Sequence, residues 1–237
     1  MRLILGDCLE KMSDIPDGSV DMVLCDLPFE TTRCKWDVVI PFEPLWAHYK
    51  RVCKPNAAIV LFGMEPFSSR LRMSNTTDFK YDWVWEKTHG TGFLNAKKQP
   101  IRTHETISVF YSEQPTYNPQ KTSGHPRKTA TKRKDVTEVY GKQKGEHTYD
   151  STDRYPRSVQ LFASDKQKSA LVPTQKPVAL CEYLIRTYTN VGDTVLDNSM
   201  GSGTTGVAAQ NLNRHFIGIE KDETHFNIAH DRIYGEI

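Results

Sequence analysis

The sequence predicts an α/β fold: a doubly wound, mostly parallel sheet with helices on both faces. Three observations predict it. Short apolar runs alternate with amphipathic stretches in both end regions of the chain, the pattern of strand–helix–strand units. One run, AAIVLFG (57–63), is continuously apolar, as a strand covered on both faces must be. Near the C-terminus a glycine-rich loop follows one apolar run and opens a helical one, the junction at which such folds bind ligands.

The elements follow in order. RLIL (2–5) reads as a short strand, and CLEKMSDI (8–15) as a short helix before the turn PDGS. VDMVLC (20–25) is an apolar, β-branched strand that ends at Asp26. PFEPLWAHYKRVC (41–53) spaces Leu45, Tyr49 and Val52 as one face of a helix, which KPN stops. After strand 57–63, PFSSRLRMS (66–74) suggests a helix; YDWVWEK (81–87) and ETISVFYS (105–112) read as strands. TQKPVALCEYLIRTYTN (174–190) is a helix with Pro177 in its first turn and an apolar face of Leu180, Cys181, Leu184, Ile185 and Tyr188. DTVLD (193–197), TTGVAAQNLN (204–213), HFIGIE (215–220) and DETHFNIAHDRIY (222–234) then alternate strand and helix.

Composition narrows the function classes. With 237 residues the chain can bury a core without staples. No apolar run approaches the ~20 residues of a membrane helix, and the N-terminus lacks a signal-peptide pattern. Five cysteines with no C-x-x-C pair argue against a zinc site or disulfide framework and fit a reducing cytoplasm. Residues 113–170 differ from the rest: rich in Pro, Lys, Thr and Ser, they hold 12 Lys/Arg against 7 Asp/Glu, on a chain whose total charge is only +2. Such a basic segment suits a polyanion. Taken alone, the same composition describes a solvated lysine-rich loop.

LDNSMGSGTTG (196–206) contains G-x-G-x-x-G at Gly201, Gly203 and Gly206. A tight turn with no ligand, a dinucleotide and S-adenosylmethionine all fit glycines at a strand-to-helix junction. Asp197 separates them. A carboxylate beside the loop repels a pyrophosphate and attracts a cation. S-adenosylmethionine carries an ammonium and a sulfonium and no phosphate. Glu220, at the end of the next strand, is placed to accept hydrogen bonds from ribose hydroxyls.

DLPF (26–29) resembles the D-P-P-Y motif of the beta-group DNA amino-methyltransferases, with Leu27 where the family usually has proline. DNSMGSGTT (197–205) resembles their cofactor loop, TQKP (174–177) the element before it, and IGIE (217–220) with FNIAHDRI (226–233) the stretch after it. The motif order, catalytic before cofactor-binding, is that group's permuted order. The resemblance implies a Rossmann-like methyltransferase domain over 1–112 and 171–237, with 113–170 as a basic target-recognition insertion. It implies S-adenosylmethionine as cofactor, double-stranded DNA as substrate, a homodimer, no metal, and a place in restriction-modification. By resemblance Asp26, Leu27, Pro28 and Phe29 are catalytic. The loop residues Asp197, Asn198, Ser199, Gly201, Ser202, Gly203, Thr204 and Thr205 hold cofactor, with Asp7, Cys8 and Glu220. Lys176 is expected at the cofactor's carboxylate, with Thr174 nearby.

The chemistry explains why these residues stand together. An exocyclic amine is a poor nucleophile because its lone pair is delocalised. Acceptors at its two N–H groups, the Asp26 carboxylate and the Leu27 carbonyl, favour a pyramidal nitrogen and stabilise its developing charge. Pro28 restricts Leu27, and Phe29 offers a stacking face for an extruded base. By resemblance Asp26 favours adenine N6 over cytosine N4. A non-catalytic nucleic-acid-binding relative is the alternative from another class. Asp197 argues against a nicotinamide oxidoreductase.

Overall fold

A computed structural model describes residues 1–30, 37–132, 147–164 and 175–235. Two compact units divide them: residues 1–118 with 158–237, and Pro119–Arg157.

The larger unit is built on one eight-stranded sheet. Its strands are β1 (Arg2–Leu5), β2 (Val20–Cys25), β3 (Cys53–Gly63), β4 (Phe79–Thr91), β5 (Arg102–Phe110), β8 (Val159–Phe162), β9 (Thr194–Asp197) and β10 (His215–Glu220). Their spatial order is β1-β10-β9-β2-β3-β5-β4-β8. The first five run parallel; β5 is antiparallel to β3 and β4, and β8 is parallel to β4. Met22, Val23, Leu24 and Cys25 are all fully buried. Consecutive strand residues point to opposite faces, so β2 is covered on both sides.

Two helix groups do the covering. Helices α1 (Cys8–Lys11), α2 (Phe42–Val52) and α3 (Phe67–Ser74) pack on one another, as do α4 (Val178–Tyr188), α5 (Thr204–Asn211) and α6 (Glu223–Tyr234). Leu45, Tyr49 and Val52 form the buried stripe of α2 that their spacing predicts. Each such side chain contributes roughly 1.5–3 kcal/mol. Helix α4 buries all five predicted face residues. Its Tyr188 hydroxyl accepts from Trp83 Nε1 at 2.7 Å and lies 2.9 Å from the Tyr81 hydroxyl, fastening α4 to β4.

The winding direction reverses between β2 and β9. From β2 the chain crosses through α2 to β3 on one side; from β9 it crosses through α5 to β10 on the other. Helices therefore leave the two strands in opposite directions, and a crevice opens at their carboxyl ends. The register pairs Met22 with Val195 and Val23 with Leu196.

The second unit contains a hairpin, β6 (Lys128–Lys132) against β7 (His147–Ser151), extended by a bridge between Thr122 and Arg154. Arg127 makes an exposed two-point contact with Asp150 at 2.6 and 2.8 Å. Its bounds are narrower than the 113–170 segment read from composition. The Asn118 N–H bonds the Thr187 carbonyl at 2.7 Å, and β8 joins the main sheet beside β4. Sparse apolar residues hide these attachments, which rest on backbone pairing.

Gly203 shows how tightly the glycine loop is packed. It adopts φ +77° as the residue that caps α5, and a Cβ there would lie 2.9 Å from Ala229 Cβ and 3.0 Å from its Cα. Gly201, at φ +50°, has open space around it. Gly201→Ala should therefore cost about 1 kcal/mol for the left-handed backbone alone. Gly203→Ala should cost a further ~1–3 kcal/mol of overpacking. Urea unfolding of the two variants checks the order; equal losses would contradict it.

Candidate active site

The crevice between β2 and β9 deepens into a cavity of about 460 Å³, within the roughly 300–1,000 Å³ of small-molecule sites. Asp26, Leu27, Pro28 and Phe29, directly after β2, form one wall. Asp197, Asn198, Ser199, Gly201, Ser202, Thr204 and Thr205, from the end of β9 to the start of α5, form another. Asp7 and Cys8 after β1, Glu220 at the end of β10, and Lys176 before α4 also line it. Gly203 does not; it makes the turn behind the wall. Thr174 lies outside the described residues.

The loop is fixed from below and behind. The Ser199 N–H donates to Asp197 Oδ1 at 3.1 Å, and the Gly201 N–H to Glu220 Oε2 at 2.9 Å. From α6, Arg232 donates to the Ser202 hydroxyl at 2.9 Å. Glu220 also accepts from the Asp222 N–H at 2.9 Å, so both oxygens hold backbone while each keeps a second lone pair. Asp7 caps α1 through the Leu9 N–H at 2.9 Å. Asn198 is buried, its side-chain oxygen accepting from the Tyr49 hydroxyl at 2.6 Å.

The turn after β2 has a clamp that the sequence does not announce. Asp37 is buried, and its Oδ1 accepts from the N–H groups of Phe29 and Glu30, both at 2.8 Å. Phe29 is only 9% exposed, its ring 4.9 Å from that of Phe67. Most of the face expected to stack on a base is thus already packed, and a strip remains at the cavity wall.

Lys176, which lines the cavity, is also held by two carboxylates. Its ammonium lies 2.6 Å from Asp26 Oδ2 and 3.3 Å from Glu105 Oε2, and Glu105 Oε1 lies 2.5 Å from Lys87 Nζ. The rings of Phe29 and Phe62 lie 5.6 and 5.3 Å from the same ammonium. Two carboxylates therefore share the charge of this ammonium. Lys87, Glu105 and Lys176 are nearly buried, and each charge has an opposite neighbour, as buried ions require. Burial lowers the Lys176 pKa, yet Asp26 and Glu105 together hold it above its ordinary value. Glu105 shows the reverse balance: burial raises it, and the two lysines bring it below the ordinary range.

Asp26 ends the chain with acceptor capacity in hand. Burial raises its pKa more than Lys176 lowers it. Its Oδ1 is buried and has no hydrogen-bond partner among the described residues, while 28% of the side chain as a whole is exposed at the cavity wall. Asp197 is raised further, to about 6, by burial; the groups that pull it back are neutral, namely the Thr205 hydroxyl, the Cys25 thiol and the Ser199 N–H.

The Asp197 carboxyl binds its proton more tightly folded than unfolded, where its pKa is about 3.9. Stability is therefore lost as pH rises from about 4 to about 6, by roughly 3 kcal/mol. Asp197→Asn should stabilise the ligand-free protein at pH 7.5 by about 1–3 kcal/mol, with the gain shrinking towards pH 4. Denaturant titrations at the two pH values check this; no gain at pH 7.5 would contradict it.

Comparison with known proteins agrees with the geometry. The profile of the N6/N4 DNA methylase family matches residues 20–231. The type II methyltransferase M.BglII of Bacillus subtilis is 28% identical over 261 residues, 99% of this chain and 69% of that protein. M.HinfI of Haemophilus influenzae is 27% identical over 270 residues, 98% and 67% of the two chains. The crystal structure of the M1.HpyAVI–SAM complex superposes with a TM-score of 0.68 at 26% identity, covering 98% of both chains. The cytosine-N4-specific PvuII DNA methyltransferase shares the fold, with a TM-score of 0.67 at 17% identity, covering 97% of this chain and 85% of that one. A cavity that joins a D-L-P-F turn to a glycine-rich loop, and a profile match over most of the sequence, lead to one conclusion: the chain belongs to the N6/N4 DNA methylase family.

Proposed function

We propose that this DNA methylase transfers a methyl group from S-adenosylmethionine to the exocyclic N6 of an adenine extruded from duplex DNA. One observation carries the reading. The carboxylate of Asp26, with unfilled acceptor capacity, lines the same cavity as the glycine loop.

The cavity suits that cofactor. Gly201 has no Cβ where the backbone turns past the cavity, and open space lies beside it. Asp197 is a buried carboxylate whose largest stabilising neighbours are all neutral, so a cationic ligand satisfies it. Glu220 keeps lone pairs for hydroxyl donors. S-adenosylmethionine, when bound, supplies a methyl carbon activated by its sulfonium.

The chain's own residues do the rest. The Asp26 carboxylate accepts one N–H of the target amine and the Leu27 carbonyl the other. The nitrogen lone pair is thereby freed from the ring, and the positive charge that grows on nitrogen meets a fixed negative charge. Pro28 and the Asp37 clamp hold the turn in register, and Phe29 and Trp85 border the base. After transfer the nitrogen sheds one proton, which Asp26 accepts more readily because burial has raised its pKa. The basic hairpin unit supplies phosphate contacts.

Aspartate at position 26 favours adenine by resemblance. The shared fold of a cytosine-N4-specific enzyme keeps N4 of cytosine as the second reading. Incubation with labelled S-adenosylmethionine and unmodified DNA, followed by digestion to nucleosides, decides between them. N6-methyladenine is expected; N4-methylcytosine selects the second reading, and no labelled nucleoside sinks both. Asp26→Ala should lower kcat at least 10- to 100-fold, the worth of a charge-assisted hydrogen bond, and leave cofactor affinity in a calorimetric titration nearly unchanged. Lys121→Ala with Lys128→Ala in the hairpin unit should reduce the slope of log K against log salt by about 1 for every phosphate that a lysine no longer neutralises. An unchanged slope would remove these lysines from the DNA-binding surface.

A further inference from the structure

The buried charge chain reaches beyond the residues that the reaction uses. Glu105 on β5 and Lys87 on β4 are each 9% exposed and contact one another at 2.5 Å. A buried pair is seldom the most stable filling for a core, since apolar residues of similar volume often serve better. Asp26 and Lys176 already neutralise each other at 2.6 Å. The second pair is therefore not needed for charge balance. It does have one geometric effect: Glu105 Oε2 stands 3.3 Å from the Lys176 ammonium as an ion pair without a hydrogen bond, so the ammonium that hydrogen-bonds Asp26 also faces a second carboxylate.

We propose that Glu105 is a positioning residue for methyl transfer, drawing Lys176 partly away from Asp26 while Lys87 anchors Glu105. Lys176 keeps Asp26 ionised and oriented, and its sharing with Glu105 leaves Asp26 unsaturated, so that it can still accept a hydrogen bond from the target amine. The proposal rests on Asp26 being the amine acceptor. The charged and titratable groups that face Asp26 come from every neighbouring element: Lys176 before α4, Cys181 on α4, Glu105 on β5, Lys87 on β4, Cys25 on β2 and Asp197 on β9. Among the charges, Lys176 makes Asp26 more acidic and Glu105 makes it less so. Without Glu105 the whole ammonium charge falls on Asp26, which becomes a weaker acceptor. Without Lys176 the shift is the opposite.

The test is the acid limb of kcat against pH, with KM for DNA and cofactor Kd, for the wild type, Glu105→Gln, Lys176→Met and Asp26→Asn. Glu105→Gln should lower kcat about tenfold or more, keep cofactor Kd within about twofold, and move the acid limb to lower pH. Lys176→Met should move it to higher pH. A purely structural role predicts no such opposed movement, only a common loss of folded protein. Should Glu105→Gln fail to fold, the double variant K87M/E105Q removes one charge of each sign and should still slow turnover and move the limb the same way. Unchanged kcat and an unmoved limb in whichever of the two folds overturn the proposal. Asp26→Asn separates the levels: full activity there sinks the acceptor role of Asp26 itself, whereas an inactive Asp26→Asn with an unmoved limb in Glu105→Gln sinks only the role of Glu105.

Discussion

The site depends on a single strand pairing. β2 and β9 are separated by about 170 residues of chain, yet they lie side by side and parallel, Met22 against Val195 and Val23 against Leu196. A carboxylate marks each carboxyl end, Asp26 directly after β2 and Asp197 as the last residue of β9, and the chain leaves the two ends in opposite directions. Everything else in the cavity is arranged around that split. A slip of one residue in this register would turn alternate side chains to the wrong face of a sheet buried on both sides. The fully buried run from Met22 to Cys25 makes such a slip expensive.

Around the split, charge is handled in two contrasting ways. On the β2 side the carboxylate is embedded in a neutralised chain, Lys87–Glu105–Lys176–Asp26, in which each ion touches an opposite one. On the β9 side Asp197 is buried against neutral hydrogen-bond donors and carries a raised pKa. The first arrangement sets an opposite charge beside each ion as it leaves water. The second leaves a carboxylate underserved until a cation arrives, a local sacrifice of stability of the kind that binding sites often show. Two acids of one residue type thus sit in different electrostatic surroundings because their partners differ.

Much of this was legible in the sequence. Hydrophobic period gave the core strands and helices, because a strand buried on both faces and a helix with one apolar stripe leave unmistakable patterns. The D-L-P-F turn and the glycine loop declared themselves by position after those strands. What escaped has identifiable causes. Lys87 shares a strand face with Trp83 and Trp85, and Glu105 with Ile107 and Val109. Period two puts both on the buried face, but each sits near a strand end where charge is ordinary, so neither stood out. Asp37 acts at a sequence distance of eight residues through backbone N–H groups, and no residue pattern encodes that. Lys176 was read by resemblance as a cofactor contact; its carboxylate partner Glu105 lies about 70 residues earlier, and only the folded sheet brings them together. The bond from Asn118 to Thr187 and the pairing of residues 159–162 with β4, both within the larger unit, were hidden because the stretch of chain around them, 113–170, has few apolar residues.

The chain order of the two halves bears on how the molecule is made. Strand β2 emerges early from the ribosome and finds β3 soon afterwards on one side. Its other edge has to wait for residues 194–197. At roughly 5–20 residues per second of synthesis, that vacancy at the middle of the sheet lasts about 10–30 s. During that interval a strand whose last four residues are fully buried in the finished sheet presents unpaired backbone, the type of edge that recruits foreign strands. A nascent chain of this design has its greatest need of a holding partner in mid-synthesis, and that need ends when the glycine loop folds into place.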